Sequence, residues 1–180
     1  PQGIGGFLIN DNLAKNTSSL IDGGTGSLSD EEVQPEYMPD KYEAGTPNIP
    51  GIYGLHRALK YLLAYGVKNI REEEISLLKI FLEGIKNMDR RKVKIIGLEE
   101  TIARTPVLSL DFPKYDNGLI GHELSKNYGI MTRTGMHCAP SAHKTLGTFP
   151  HGTIRFSLSH FNSLEELSYT LDAINKIIKA

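Results

Sequence analysis

Beyond about residue 68 the chain alternates between helical periodicity and short β-rich runs, and this alternation constrains its fold more than any other feature. Apolar residues recur three and four positions apart in the helical segments, and the runs between them are β-branched or alternating. Chains of this kind pack helices against a sheet. The pattern predicts an α+β domain over residues 68–180, within a chain of the α/β class.

Start and stop signals place the individual elements. The predicted helices cover residues 50–66, 72–89 and 119–128 and a final segment after Ser163, and the predicted strands cover 7–10, 93–98, 107–112, 130–133 and 153–159. Ser163 and Glu166 form an S-x-x-E capping box, which marks the start of the final amphipathic helix. The apolar run Phe7–Asn10, between two glycines and Asp11, predicts a buried strand. We expect the helix that ends near Gly66 to link two domains.

Residues 15–47 show no steady period and contain glycine, serine, aspartate and proline throughout. Structureless loops in compact domains rarely exceed ~12–15 residues, and longer ones are usually functional. The chain has 18 glycines among 180 residues, and they cluster in PQGIGG, DGGTG and EAGTPNIPG within the first third. We expect this glycine-rich segment to be functional or to be ordered by a partner.

Charge and composition exclude several classes of protein. The chain has 20 Lys and Arg against 21 Asp and Glu, a net charge of −1, so nothing attracts it to nucleic acid or to an anionic membrane. Its single cysteine, Cys138, rules out an intramolecular disulfide, and no apolar run approaches the ~18 residues of a membrane span. These features predict a soluble, cytoplasmic protein. Because the chain begins with Pro1, a glycine-rich turn and an apolar run, we expect it to be a fragment of a longer protein.

Cys138 lies in the sequence RTGMHCAP, between a predicted strand and Pro140, which places it on a loop. Arg133 and His137 are close to it in the sequence, and cationic neighbours favour the nucleophilic thiolate. The alternative interpretation of Cys138 is a small buried hydrophobic residue.

Other catalytic and metal-binding patterns are absent from the sequence. His137, Cys138, His143 and His151 do not have the paired spacing of a zinc site, so we expect no metal. The chain also lacks a P-loop, a G-x-S-x-G elbow, and a strand followed by G-x-G-x-x-G.

Two glycine-rich stretches and one arginine suit anionic ligands. Gly23–Ser27 and Gly45-Thr46 place hydroxyls beside glycines, which suits a nest of backbone N–H groups around a phosphate, although an ordinary turn is the alternative. Arg155 interrupts an apolar strand pattern, and its planar guanidinium suits a carboxylate. The alternative for Arg155 is an edge-strand position that faces solvent.

Four motifs together resemble the C-terminal portion of a class V aminotransferase of the cysteine desulfurase or selenocysteine lyase type. They are PQGIGG, EAGTPNIPGIYGL, RTGMHCAPSAHKTLGT and GTIRFSLSHFNSLEEL, and they occur in the family's order. The resemblance implies pyridoxal 5'-phosphate as cofactor, the aspartate aminotransferase (type I) fold, and a homodimer with active sites at the subunit interface. It also implies that residues 1–67 belong to the large cofactor-binding domain and residues 68–180 form the small domain.

The resemblance also implies roles for individual residues. Cys138 would be the nucleophile that removes sulfur or selenium from an amino-acid substrate and becomes a persulfide, and Arg133 and His137 would position or activate its thiol. Arg155 would bind the substrate α-carboxylate, assisted by Arg133. Gly45 and Thr46 would reach the cofactor phosphate of the other subunit, across an interface that residues 15–47 are expected to cross. Met136 stands where the family often has the first of two histidines.

In the resembling family the Schiff-base lysine precedes the segment that matches Pro1-Gln2-Gly3, outside this chain. Lys144 follows the cysteine loop, so we do not assign it that role. The resemblance therefore implies an active parent enzyme, with a possible sulfur-acceptor protein as a further partner, and an inactive isolated fragment. The alternatives are another class V aminotransferase or lyase, and a non-catalytic folded module.

Overall fold

The chain folds into two compact units, Pro1–Tyr65 and Gly66–Ala180. The structure is a computed structural model and describes residues 2–24, 26–28 and 30–179, so Thr25 of the predicted Gly23–Ser27 anion nest lies outside the described residues. No helix among these described ranges is long and apolar enough to cross a membrane.

The first unit begins with an extended segment that pairs with no strand in its described part. The predicted buried strand at Phe7–Asn10 is therefore wrong: Phe7 is 66% exposed and Leu8 is fully exposed. The reason lies in Asn10, whose side-chain oxygen accepts from the backbone N–H of Asn12 at 2.9 Å and caps helix α1 (Asp11–Asn16). A capping signal at the end of the apolar run thus outweighs the β-like composition.

Side-chain hydrogen bonds of Gln34 connect distant parts of residues 15–47, which contain little regular structure. The side-chain oxygen of Gln34 accepts from the backbone N–H of Gly23 at 3.0 Å, and its amide nitrogen donates to the carbonyl of Asp40 at 2.7 Å. A short 3₁₀-helix, Asp40–Tyr42, follows. Within it Lys41 is buried, and its ammonium group pairs with Glu36 at 2.6 Å. These contacts fold the segment back toward Gly45.

Helix α2 (Ile49–Tyr65) confirms the predicted helix at 50–66. Asn48 fixes its start, because the side chain accepts from the N–H of Gly51 at 3.0 Å and donates to the carbonyl of Gly3 at 2.9 Å. Only Gly51 is buried among the residues of α2. Most apolar residues of the helix, including Ile52, Leu59 and Leu63, are exposed on this unit.

The second unit packs its three longest helices on one face of a four-stranded sheet. Its elements are, in order, α3 (Val67–Lys86), β1 (Lys94–Ile96), β2 (Val107–Asp111), α4 (Asn117–Tyr128), β3 (Arg133–Gly135), α5 (Pro140–Thr145), β4 (Thr153–Ser157) and α6 (Leu164–Lys179). The sheet is antiparallel throughout, in the order β1-β2-β4-β3. This mixed architecture confirms the predicted α+β character and, within a few residues, most of the predicted elements.

The apolar core lies on one face of the sheet. The two central strands supply Leu108, Leu110, Ile154 and Phe156, and the helices α3, α4 and α6 supply Leu78, Phe81, Ile85, Ile120, Leu124, Leu167, Ile174 and Ile178. Side chains alternate along a strand. Ser109 and Arg155, which are register partners on β2 and β4, therefore lie on the opposite face.

Two predicted elements are shifted along the sequence. Helix α3 begins at Val67 instead of residue 72, and it ends at Lys86 because Asp89 accepts from the backbone N–H of Arg91 at 2.9 Å and so supports a turn. Bonding to Arg91 also lowers the pKa of Asp89 to about 2. Strand β3 begins at Arg133 instead of residue 130, because the N–H of Ile130 is used to cap α4 through the carbonyl of Leu124 at 2.9 Å.

The capping box at the start of α6 is confirmed. The backbone N–H of Glu166 donates to the hydroxyl of Ser163 at 3.2 Å, and the N–H of Ser163 donates to the carboxylate of Glu166 at 3.0 Å. The bond from the Ser163 backbone lowers the pKa of Glu166. This reciprocal pair satisfies two N–H groups that the helix start would otherwise leave without partners.

Gly152 is the position at which we expect the second unit to tolerate a methyl group least. A Cβ atom there would lie 2.3 Å from both the carbonyl carbon and the carbonyl oxygen of Gly135, and its φ of +70° disfavours any L side chain. We predict that Gly152→Ala lowers the free energy of unfolding by about 3 kcal/mol or more, measured by urea denaturation.

Gly129→Ala is the matched control for this prediction. Gly129 has a similar φ of +67°, but a Cβ atom would meet nothing within 4 Å. Its cost should therefore be the backbone penalty alone, about 1 kcal/mol. Equal destabilisation by the two variants would contradict the proposed clash with Gly135.

Candidate active site

Pairing of β3 with β4 sets two arginines directly opposite each other. Arg133 and Arg155 are Cα partners in the register of the two strands. Arg133 is exposed and Arg155 is half-buried, and the Nε atom of Arg155 is buried without a hydrogen-bond partner among the described residues. Like charges in this position repel each other. The arrangement therefore favours an anionic ligand on this face of the sheet.

A strained turn follows β3 and presents the cysteine. His137 and Cys138 both adopt left-handed backbone conformations, with φ of +49° and +60°, and the N–H of Ala139 closes the turn on the carbonyl of Met136 at 2.9 Å. Such conformations cost on the order of 1–3 kcal/mol each for non-glycine residues and cluster at functional sites. Cys138 is exposed, as a loop nucleophile requires, and the alternative of a buried hydrophobic residue is wrong.

Two threonines hold His137 and His143. The Nε2 atom of His137 lies 3.2 Å from the hydroxyl oxygen of Thr153, and the Nδ1 atom of His143 lies 2.7 Å from that of Thr148. The imidazole rings are 5.9 Å apart between centroids. The turn, helix α5 and strand β4 are thereby connected around His137. Its Nδ1 atom is buried without a hydrogen-bond partner within the described part of the chain.

The surroundings of His137 favour its neutral form. Burial lowers its pKa from the ordinary 6.5, and the nearby positive charges of Arg155, His143 and Arg133 lower it further. A hydrogen bond to the backbone of Thr153 acts in the opposite direction and raises the pKa by less. A neutral imidazole can accept a proton, which the protonated form cannot do.

Gly45 and Thr46 lie in the first unit, where both are exposed. Gly45 has a φ of +77°, and its N–H donates to the carbonyl of Gly23 at 3.2 Å. Of the two groups predicted to meet a phosphate, the N–H of Gly45 is already hydrogen-bonded, whereas the side chain of Thr46 is accessible.

Sequence reasoning missed Thr153 and Thr148, the partners of the two histidines. The alternation of β4 could have identified Thr153, because it lies two residues before Arg155 and so on the same face of the strand. Lys144 is exposed, with its ammonium group 5.2 Å above the ring of Phe149. Among the residues that the structure describes, no three His, Cys, Asp or Glu side chains are grouped so as to hold a metal ion.

Comparison with known proteins identifies the family to which this site belongs. The profile of the family described as aminotransferase class-V matches residues 1–169, and the chain belongs to that family. A relative named probable cysteine desulfurase, from Pyrococcus abyssi, is 31% identical over the whole of this chain. A relative named cysteine desulfurase, from Escherichia coli O1:K1, is 31% identical over 98% of it. The chain spans 44% and 42% of the lengths of these two relatives.

Solved structures confirm the predicted fold class. The apo structure of a cysteine desulfurase from Thermococcus onnurineus NA1 is 32% identical and superposes with a TM-score of 0.76 over 89% of this chain and 39% of that one. The cysteine desulfurase CsdA from Escherichia coli is 24% identical and superposes with the same TM-score. The superposition covers 93% of this chain and 40% of the CsdA chain. The chain therefore has part of the type I fold of pyridoxal-phosphate enzymes, as its motifs predicted.

Replacing Arg155 should change the titration of His137. We predict that Arg155→Gln raises the pKa of His137, because a positive charge is removed, and that the pKa stays below 6.5, because burial remains. The measurement is an NMR titration of the His137 ring. Lys144→Gln, which removes an exposed charge that does not act on His137, should leave the pKa unchanged. An unchanged pKa in Arg155→Gln would contradict an electrostatic effect of this arginine.

The lowered pKa also fixes a pH dependence of stability. Between the pKa of folded His137 and 6.5, the unfolded chain binds more protons at this residue than the folded chain does. Stability contributed by His137 is therefore lost as the pH falls through this window. Arg155→Gln should narrow the window, as seen in urea midpoints measured across it.

Proposed function

We propose that this chain supplies the nucleophile and the substrate-carboxylate site of a pyridoxal-phosphate-dependent cysteine desulfurase. The reaction removes sulfur from L-cysteine, or selenium from selenocysteine, and leaves alanine and a persulfide on Cys138. One observation carries the proposal: an exposed cysteine on a strained turn follows a strand that sets Arg133 opposite Arg155. The names of the relatives from Pyrococcus abyssi and Escherichia coli support the same reaction.

Arg155 is the group that fixes the substrate in this proposal. Its Nε atom has a donor direction that no described protein group occupies, and its guanidinium can bind a carboxylate through two parallel hydrogen bonds. Arg133, its partner on β3, adds positive charge at the same place. A carboxylate held there also relieves the repulsion between the two arginines.

Cys138 then acts on the fixed substrate. Its thiolate attacks the substrate sulfur, an S–S bond forms and the carbon–sulfur bond breaks, with the electron pair going to carbon, which is protonated and leaves as alanine. Pyridoxal phosphate, when bound, supplies the electron sink for that pair. His137 takes the proton that the Cys138 thiol must lose to become a thiolate. Exposure of Cys138 suits transfer of the persulfide sulfur to an acceptor protein.

The first unit fits the cofactor at one point. The exposed hydroxyl of Thr46 suits a phosphate, whereas the N–H of Gly45 is already bonded to the carbonyl of Gly23. We therefore assign the phosphate contact to Thr46, beside the turn made by Gly45, and we assign it to the cofactor of a second subunit in a homodimer. In this proposal residues 1–67 belong to the large cofactor-binding domain, residues 68–180 form the small domain, and the enzyme works in the cytoplasm.

The role of Cys138 is tested by its replacement. In a polypeptide that also carries the lysine-bearing portion of the family, Cys138→Ala should abolish persulfide formation and leave the visible absorbance of lysine-bound pyridoxal phosphate intact. The measurement is the gain of one sulfur atom in the intact mass after incubation with L-cysteine. Undiminished alanine production from cysteine by Cys138→Ala would favour another class V aminotransferase or lyase, in which this residue is incidental.

The role of Arg155 is tested by a charge-preserving replacement. Arg155→Lys keeps the positive charge but loses the second parallel hydrogen bond, so we expect KM for cysteine to rise about 10- to 100-fold with a smaller change in kcat. Arg91→Lys is the matched control, because Arg91 is an exposed arginine that pairs with Asp89. A loss confined to kcat would contradict carboxylate binding by Arg155.

A further inference from the structure

Thr153 is a buried polar residue to which the proposed reaction gives no role. It is the first residue of β4, only 1% exposed, and lies on the same strand face as Arg155. Its hydroxyl oxygen is 3.2 Å from Nε2 of His137. A buried hydroxyl needs a hydrogen-bond partner, and the imidazole is the partner that this hydroxyl has.

The backbone brings His137 to Thr153 by an unusual path. Gly135 is the register partner of Thr153 at the end of β3 and has a φ of +103°, and His137 follows two residues later in a left-handed conformation. The chain thus turns back so that the ring of His137 meets the strand it has just left. A conformation of this cost persists only where contacts hold it, and the contact with Thr153 is one of them.

Thr153 also determines which ring nitrogen carries the proton. The hydroxyl oxygen of Thr153, 3.2 Å from Nε2, can accept the ring N–H, and an N–H group buried without an acceptor is disfavoured more than a buried lone pair. Nε2 faces Thr153, whereas Nδ1 has no hydrogen-bond partner among the described residues. The proton of the neutral ring is therefore on Nε2, and the lone pair is on Nδ1. Hydrogen bonding at one imidazole nitrogen commonly fixes the state of the other in this way.

We propose that Thr153 is a positioning residue that holds His137 as the Nε2–H tautomer and leaves Nδ1 as its basic atom. This inference rests on the proposed function for one step alone, in which Nδ1 accepts the proton that the Cys138 thiol loses, leaving a thiolate and an imidazolium. Thr153 touches neither substrate nor cofactor in this scheme, and it acts through the orientation of His137.

Two substitutions separate the hydroxyl of Thr153 from its methyl group. Thr153→Val keeps the shape and removes the hydroxyl, whereas Thr153→Ser keeps the hydroxyl and removes the methyl group. In the chain with ¹⁵N-labelled histidine, the ring nitrogen shifts report the tautomer of each of the six histidines. His137→Gln identifies the signal of His137.

We expect one tautomer, Nε2–H, in the wild-type chain and in Thr153→Ser. In Thr153→Val the ratio of the two tautomers should shift toward Nδ1–H by roughly 5- to 10-fold, the effect of losing one hydrogen bond. His143, which is bonded to Thr148, should keep its tautomer in all three proteins and serves as the internal control. Thr153→Ala replaces Thr153→Val if the latter does not give a dispersed spectrum.

Two results would overturn the inference: an unchanged tautomer ratio in Thr153→Val, or the same shift in Thr153→Ser. The second result would mean that packing of the methyl group, and not the hydroxyl, holds the ring. Alkylation of Cys138 by iodoacetamide gives a second measurement, and at neutral pH it should slow several-fold in Thr153→Val but not in Thr153→Ser. Neither measurement needs cofactor, substrate or turnover, so their failure is distinguishable from absence of desulfurase activity.

Discussion

The site depends on one cross-strand contact, the pairing of β3 with β4 that sets Arg133 against Arg155. Like charges on directly opposed residues of two strands destabilise their pairing, so the sheet needs another source of stability. That source is the opposite face of β4, where Ile154 and Phe156 are buried in the apolar core. Packing of the core thus keeps Arg133 and Arg155 on neighbouring strands despite their like charges. An anion that binds there would be stabilised by charges that are already in place.

A second constraint is the close approach of backbone at Gly135 and Gly152. The strands β3 and β4 are separated in sequence by residues 136–152, which contain the cysteine turn and α5, and the two glycines bring the ends of this excursion together. Gly135 and Gly152 close the ends of the segment 136–152, and a hydrogen bond between His143 and Thr148 holds it together internally. Cys138 can therefore be exposed on a strained turn without loosening the sheet below it.

Local signals predicted much of the fold, because caps and periodicity act within a few residues. The capping box of Ser163 and Glu166 and the alternation of β2 and β4 were sufficient to place their elements. The predicted strand at Phe7–Asn10 was wrong because its composition resembles that of a buried strand, whereas Asn10 caps the start of a helix. The observed ends of helices and strands differ from the predicted ones where a backbone N–H is engaged in a turn or a helix cap. The hydrogen bond accepted by Asp89 and the one donated by Ile130 are examples.

The candidate site was predictable in its residue types and not in its geometry. Cys138, His137, Arg133 and Arg155 stand out because of their chemistry and their motifs. The opposition of the two arginines follows from strand register, which depends on contacts between segments distant in sequence. Thr153 is an ordinary strand residue by composition, and its contact with His137 depends on the turn that brings His137 back to β4.

The position of His137 beside Arg155 links proton binding to anion binding. Because the charge of Arg155 disfavours a proton on His137, a carboxylate that neutralises Arg155 makes the imidazole more basic. Linkage requires the converse, so a proton on His137 tightens the carboxylate by the same factor. In the proposed reaction, the substrate carboxylate would therefore raise the pKa of the base, and without a bound carboxylate that pKa would stay low.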